Sequence, residues 1–278
     1  VAMPGVGEKG YVDVKMQVKT PGGHSSMPPD STGIGMMSRL ITALEQNPHK
    51  ANLAPDNPVL THLICLSDAI ARGQQHSTDS QEGFILSKKM RSYLRKPSRW
   101  ARVAAAIDAR GTRVQRFIIK TSQAVDIING GAKSNALPES VSAIVNQRIS
   151  VESSVGAVKQ RLVHVLSPIA KELGLNVDAY GEKIMHVKEE EAAGTLVLTA
   201  DLFSEPTAVS PTDNDAFKML ASTVKHVFPG TNGKERLVTP VVFTGNTDVR
   251  RYSFAHLSEN IVSAPLPQSA FFPSRLTA

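Results

Sequence analysis

Residues 12–19 constrain the fold of this chain more than any other segment, because their side chains alternate strictly in polarity. The apolar positions Val12, Val14, Met16 and Val18 are separated by Asp13, Lys15, Gln17 and Lys19. A period of two places one set of side chains in a core and the other in water, so it predicts a half-buried β-strand. The fold must therefore include a sheet with one covered face.

The strand leads directly into a turn, residues 21–29, that contains one histidine, His24. Gly22 and Gly23 permit backbone angles that other residues avoid, and the prolines that follow restrict the exit from the turn. His24 is therefore held at the end of a strand and is surrounded by hydroxyl groups. From the residues alone, the turn is either a site that presents an imidazole or a polar turn that happens to include one.

The periodicities that follow predict a small α+β domain. A helix begins at Ser31 or Thr32 and ends at Asn47, strand patterns cover 114–128 and 141–149, a helix runs from Ser153 or Ser154 to Gly174, and a last strand covers 175–179. The order strand–helix–strand–strand–helix–strand predicts a split βαβ, ferredoxin-like sandwich, with one antiparallel sheet covered on one face by two helices. Residues 49–112, interrupted by prolines, are predicted to be a helical insertion in this domain.

A second and incomplete domain is predicted for residues 194–278, after a charged linker. Residues 195–203 have a strand pattern, a helix begins near Pro211, and 238–243 is a short apolar strand of the kind that parallel sheets bury. About 80 residues are few for an α/β domain, so we expect only its C-terminal part. The sequence thus divides into a domain at 8–186 and a partial domain at 194–278.

The basic charge of the chain is local. The net charge is +6, and between Lys88 and Arg116 ten basic residues face one acidic residue, Asp108. A nucleic-acid site would place stacking aromatic residues within such a patch, and only Tyr93 and Trp100 are present. We therefore interpret the patch as a solvated helix face and expect no nucleic-acid partner, while a weak preference for acidic partners stays open.

Cysteine content and hydropathy exclude further classes. The single cysteine, Cys65, cannot form an internal disulfide framework or a cysteine-based zinc cluster. No apolar run approaches the roughly 20 residues that cross a bilayer, so no membrane segment is expected in this chain.

Three blocks of sequence then suggest a family. They are residues 8–14 with 20–26, residues 123–131 with 135–139 and 146–150, and residues 244–250. In this order they resemble the zinc aminoacylase and carboxypeptidase family of metallopeptidases, of the carboxypeptidase S type. The resemblance implies a lid (dimerisation) domain followed by part of an α/β catalytic domain. It also implies hydrolysis of the C-terminal peptide or amide bond of a short peptide or an N-acyl amino acid.

The resemblance assigns roles to three residues of the lid. His24 would stabilise the developing oxyanion in the active site of a partner subunit, and Asn135 would hold the same oxygen or the substrate. Arg148 would bind the α-carboxylate of the substrate, for which a planar guanidinium is well suited. The alternatives are that Asn135 stabilises a turn and that Arg148 is a charge at a strand edge.

The third block would form a substrate-binding loop. Gly245, Asn246 and Thr247 follow an apolar strand, where α/β sheets present ligand loops, and Arg250 would add positive charge. Arg251 stands where the family often has histidine or tyrosine, a modest departure from its pattern.

The metal site implied by the resemblance is not evident in this sequence. The family binds two zinc ions through histidine and carboxylate ligands, which it takes mainly from sequence before the lid and from a histidine near its C-terminus. His256 lies close to Asp248 in sequence and is expected to be a surface or packing histidine, so we assign no metal ligand. We therefore expect the chain not to bind zinc and to be inactive alone.

The resemblance finally implies a homodimer formed through the lid and a vacuolar or secretory location, although no signal is visible in this chain. Two alternatives to an enzyme remain at this point, a non-catalytic dimerisation module and a truncated fragment.

Overall fold

The computed structural model describes residues 1–73, 86–188, 190, 192–230 and 236–248. They form two compact units. Among the described residues, the first unit contains Val1–Glu8, those within Asn52–Ile119 and those from Thr207 to Asp248, and the sheet unit contains those within Lys9–Ala51 and Lys120–Pro206. In chain order the helices and strands are β1 (Gly5–Glu8), β2 (Gly10–Lys19), β3 (Gly23–His24), α1 (Gly33–Gln46), α2 (Pro58–Ala71), α3 (Lys88–Leu94), α4 (Trp100–Arg110), α5 (Arg113–Phe117), β4 (Ser122–Gly130), β5 (Ala136–Leu137), β6 (Ser140–Ile149), α6 (Val155–Glu172), β7 (Leu175–Ala179), β8 (Glu182–Met185), β9 (Gly194–Ser204), α7 (Asp215–Val227) and β10 (Val241–Phe243).

The limits of these units differ from the division expected from the sequence. The segment expected as an insertion in the lid, 49–112, corresponds to Asn52–Ile119, which belongs to the first unit. The N–H of Asn52 donates to the carbonyl of Ile119 over 2.9 Å, so the two ends of this segment lie next to each other. Because its ends meet, the segment can belong to the first unit while the residues on either side of it belong to the sheet unit.

The sheet unit is built on six strands in the order β4-β6-β2-β9-β7-β8. Strand β2 is antiparallel to both β6 and β9, whereas β7 and β9 are parallel. The prediction of a wholly antiparallel sheet is therefore wrong. Strand β9, which we expected in the second domain, lies between β2 and β7. Its Leu196 and Leu198 pair with Val18 and Met16 and share their core.

Helices α1 and α6 contact each other and strands of this sheet, and with it they enclose the core. The hydroxyl of Thr32 caps α1 by accepting from the N–H of Gly35, and the hydroxyl of Ser154 caps α6 by accepting from Ala157. Both start sites agree with the sequence prediction, since serine and threonine satisfy the first free N–H groups of a helix. Buried Leu40 and Leu162 are among the side chains that these helices place in the core.

One predicted strand begins too early. We expected strand structure from Val114, but α5 occupies Arg113–Phe117 and β4 begins only at Ser122. Thr112 and Gln115 form a reciprocal capping box, with each side chain accepting from the backbone N–H of the other. This cap stabilises a helical turn and outweighs the strand preference of β-branched residues.

In the first unit, β1 pairs in parallel with β10, and Val238 forms a further parallel bridge with Ala2. The parallel strand expected near 238–243 is thus confirmed. Helix α2 contacts β10, and α7 begins one residue after its cap, Asn214. No helix in the described part of the chain is both long and apolar enough to span a membrane.

Candidate functional site

His24 and Asn135 come together in a small ladder of the sheet unit. Strands β3 and β5 are antiparallel, with His24 opposite Ala136, and the N–H of Ser25 donates to the carbonyl of Asn135 over 3.2 Å. Gly22, with φ of 75°, makes the turn into β3 possible. Two segments more than a hundred residues apart in sequence therefore bring the backbones of His24 and Asn135 close together, and both residues are exposed.

The hydrogen bonds of His24 determine which ring nitrogen carries the proton. Its Nδ1 accepts from the backbone N–H of Ser26 over 3.2 Å and lies 2.8 Å from the hydroxyl of Ser26. A nitrogen that accepts from an N–H has no proton, so neutral His24 carries its proton on Nε2. His24 thus presents an Nε2–H donor, the group that an oxyanion requires.

Arg148 lies at the other end of the sheet. It pairs with Tyr11 on β2 and with Ser122 on β4, and its guanidinium is 5.7 Å from the centre of the Tyr11 ring. From Tyr11 to Lys19 the strand advances eight residues, or about 26 Å at 3.3 Å per residue. Within one chain, the ladder of His24 and Asn135 and the guanidinium of Arg148 therefore do not share a pocket.

The loop at residues 245–247, hereafter the 245–247 loop, follows β10 in the first unit. Phe243 pairs with Glu8 at the end of β1, and parallel strands end at the same edge of a sheet. The backbone N–H of Thr247 donates to Oε2 of Glu8 over 2.9 Å, and the hydroxyl of Thr247 donates to Oε1. Arg250, predicted to supplement this loop, lies outside the described residues.

No contact among the described residues explains why glycine occupies position 245. A Cβ atom at this position would meet no atom within 4 Å among the described residues. Gly245 also lacks the positive φ that favours glycine at other positions of the chain. The described residues therefore leave the space beside Gly245 unfilled.

Glu8 was not predicted as a functional residue. Its side chain is 2% exposed, and its backbone N–H donates to the hydroxyl of Thr207 over 2.8 Å. The available signal was its position, an acidic residue at the end of a short strand and at the start of the first family-like block. Composition and periodicity alone do not predict that its partner is 239 residues away.

Two other histidines, one buried and one half-buried, have lowered pKa values. The imidazole of His62 lies 2.5 Å from the hydroxyl of Thr239, and burial lowers the pKa of His62 to about 4. His49 lies 2.6 Å from the side-chain oxygen of Gln147, and burial lowers its pKa to about 4 as well. Each has a neutral hydrogen-bonding partner in the fold.

The described residues do not fit the donor set of a zinc site. Within the ranges that the structure covers, no group of three or more histidine, cysteine, aspartate or glutamate side chains is placed to hold a metal ion. His256 lies outside these ranges.

Comparison with known proteins identifies the family. Residues 6–173 match the model of the peptidase dimerisation domain. The chain belongs to the M20 peptidase dimerisation family and is a carboxypeptidase S-like member of it. It is 36% identical to carboxypeptidase S of Saccharomyces cerevisiae over 264 residues, which cover 94% of this chain and 43% of that protein.

A more distant relative is the N-fatty-acyl-amino acid synthase/hydrolase PM20D1 of Bos taurus. It is 27% identical over 256 residues, or 90% of this chain and 41% of the relative. The chain thus spans about two fifths of the length of these two relatives.

The fold also matches a solved structure, the M20 family metallo-carboxypeptidase Sso-CP2 from Sulfolobus solfataricus. The TM-score is 0.52 with 13% identity, over 96% of this chain and 60% of that one. At this identity the match supports the α/β fold with its mixed sheet and no more.

Proposed function

We propose that this chain belongs to a hydrolase of peptide or amide bonds next to a free carboxylate, a carboxypeptidase or an N-acyl amino acid hydrolase. The observation that carries the proposal is 36% identity with carboxypeptidase S along 264 residues, which extend through both units. The name of the bovine relative adds fatty-acyl amino acids as a second class of substrate. Both substrates contain an amide bond beside a carboxylate, so one arrangement of binding groups serves either.

His24 and Asn135 would act on the carbonyl of that bond. The Nε2–H of His24 would donate to the oxygen on which negative charge develops, and the exposed amide of Asn135, from the neighbouring segment, would supply a second donor. Loss of one such donor typically lowers kcat by about 10²–10³-fold. Arg148 would bind the carboxylate of the substrate in two hydrogen bonds.

The separation of His24 from Arg148 supports a site shared by two subunits. An extended dipeptide spans about 7 Å, so a substrate on Arg148 cannot reach His24 of the same chain. In a two-fold dimer each His24 can serve the substrate bound by the partner. We infer that the sheet unit is a ferredoxin-like lid, with β9 inserted between two of its strands, and that it forms a homodimer.

Zinc would supply the activated water in this chemistry. The described residues do not fit such an ion, so the proposal assigns them binding and orientation only. We infer that this chain alone does not turn over substrate. The vacuolar or secretory location implied by carboxypeptidase S-type relatives remains part of the proposal.

Two measurements on the purified chain test this function. With added zinc, we expect no hydrolysis of an N-blocked dipeptide, and turnover would refute the inferred inactivity. By calorimetry, N-acetylleucine should bind and its carboxamide should not. R148A should weaken binding at least tenfold, whereas K15A, on the same face of the sheet, should not. Equal binding of acid and amide contradicts carboxylate recognition.

A non-catalytic dimerisation module is the second candidate. It is favoured by the match at residues 6–173 and by the outer edge of β4, where Ile127 and Ile128 are exposed by 47% and 55%. Sedimentation separates the two candidates when combined with calorimetry. A dimer that binds no N-acetylleucine indicates the module, and a dimer that binds it indicates the hydrolase.

A further inference from the structure

The buried carboxylate of Glu8 has its position determined by the backbone around it. Its own N–H donates to the hydroxyl of Thr207, and its carbonyl accepts from the N–H of Thr207 over 3.0 Å. Strand β1 adds the parallel pairing that aligns Glu8 with Phe243. The carboxylate is thus presented at a defined place, beside the end of β10, before any contact with the 245–247 loop is considered.

Both oxygens of this carboxylate accept from one residue of the 245–247 loop. Oε2 accepts the backbone N–H of Thr247 and Oε1 accepts its hydroxyl proton. An ionised carboxylate accepts hydrogen bonds and donates none, and charge-assisted hydrogen bonds are about twice as strong as neutral ones. A loop conformation that turns Thr247 away would leave buried negative charge without these donors, which is strongly unfavourable.

We propose that Glu8 is a positioning residue that holds the 245–247 loop in the conformation that binds substrate. The inference rests on the proposed substrate-binding role of this loop. Glu8 uses the N–H and the hydroxyl proton of Thr247, so Thr247 acts as the anchor of the loop. Binding of the substrate then involves the backbone N–H of Gly245, where a Cβ atom would meet no described atom within 4 Å.

Amide hydrogen exchange and ligand binding, measured on the whole chain, test the proposal. E8Q replaces one acceptor with an amide donor that faces a donor of Thr247. We expect the amides of the 245–247 loop to exchange at least tenfold faster and N-acetylleucine to bind at least tenfold more weakly. T247V, which removes only the hydroxyl, should have the same effects to a smaller degree, and T247S should keep the protection.

A matched control is E205Q. Glu205 also accepts a backbone N–H through its carboxylate, that of Val155 over 2.9 Å, but it belongs to the sheet unit. E205Q should leave exchange in the 245–247 loop unchanged. If E8Q and T247V lower the melting temperature while loop exchange and affinity stay at wild-type values, Glu8 is only structural and the inference is overturned.

The two proposals fail in different ways. Wild-type chain that binds no N-acetylleucine overturns the proposed function of the loop. Binding that depends on the carboxylate but persists in E8Q overturns positioning by Glu8. If E8Q does not fold, T247V tests the same inference, because it removes a hydrogen bond to Glu8 and retains the Glu8 carboxylate.

Discussion

The hydrogen bonds that are described for the ring of His24 come from one residue, Ser26, two positions along the chain. The sequence predicts a shaped turn at a strand end from its glycines and prolines, and the structure agrees. The tautomer of the ring was not predictable, because it depends on the N–H of Ser26 pointing at Nδ1. The pairing of this turn with Asn135 was likewise suggested by resemblance and not by any local pattern.

The tautomer gives a prediction at the scale of the residue. Long-range ¹H–¹⁵N spectra of the neutral His24 ring should show its proton on Nε2. S26A keeps the backbone N–H and should leave the proton on Nε2, whereas S26P, which has no backbone N–H, should increase the fraction protonated on Nδ1. A wild-type ring protonated mainly on Nδ1 would contradict the donor role of His24.

A pair of glycines gives the second prediction. At Gly10 a Cβ would lie 2.5 Å from the carbonyl oxygen of Ser204 and 2.6 Å from the nitrogen of Pro206, both backbone atoms. G10A should therefore lower the free energy of unfolding by about 1–3 kcal/mol. G245A, where a Cβ meets no described atom, should lower it by less than about 0.5 kcal/mol. Urea unfolding measures both free energies. Equal decreases for G10A and G245A would show that the space available to the added methyl group does not determine the loss of stability.

At the scale of the element, periodicity predicted which face of a strand or helix is buried better than it predicted which strands pair. The alternation in β2 and the caps of α1 and α6 were readable because they depend on residues within one turn or one strand. The position of β9 in the sheet could not be predicted from the sequence. Alternation indicates which side chains of a strand are buried, and it does not indicate which strand is paired with it. The error at Val114 has a similar origin, since a capping box overrode an apolar run.

The edge strand β4 carries a prediction about assembly. If the homodimer forms through the lid edge, a charge at Ile128 should oppose it, because charged residues on an edge strand prevent pairing with another chain. We expect I128K to weaken dimerisation at least tenfold in sedimentation equilibrium. E182K, at the opposite edge strand β8, is the control. A dimer unaffected by I128K would place the interface elsewhere.

At the scale of the molecule, each unit contains a described histidine whose pKa is lowered by burial. Burial lowers the pKa of His62 and of His49 to about 4 from an ordinary value near 6.5. An imidazole with a lowered pKa contributes stability that is complete above the unfolded pKa and is lost as the pH falls through the folded pKa. Both units should therefore become less stable between about pH 6.5 and pH 4.

The loss is measurable as a difference between variants. For His62, almost fully buried, protonation should cost on the order of 2–3 kcal/mol by pH 4, and less for the more exposed His49. Urea unfolding at pH 7 and at pH 4.5 should show a smaller drop for H62Q than for the wild type. An identical drop in both would mean that carboxylates alone determine the acid sensitivity.

Strand β9 completes the middle of a sheet that began almost two hundred residues earlier, with Tyr11 opposite Ser204. At a synthesis rate of roughly 5–20 residues per second, about 10–40 s pass between the synthesis of β2 and that of β9, its pairing strand. A nascent chain shorter than β9 therefore exposes unpaired backbone on β2 and β7, a surface that chaperones and proteases recognise. Ribosome-bound chains that expose residues only as far as Gly181 beyond the exit tunnel should be cleaved rapidly by a nonspecific protease, and chains that also expose β9 should resist it.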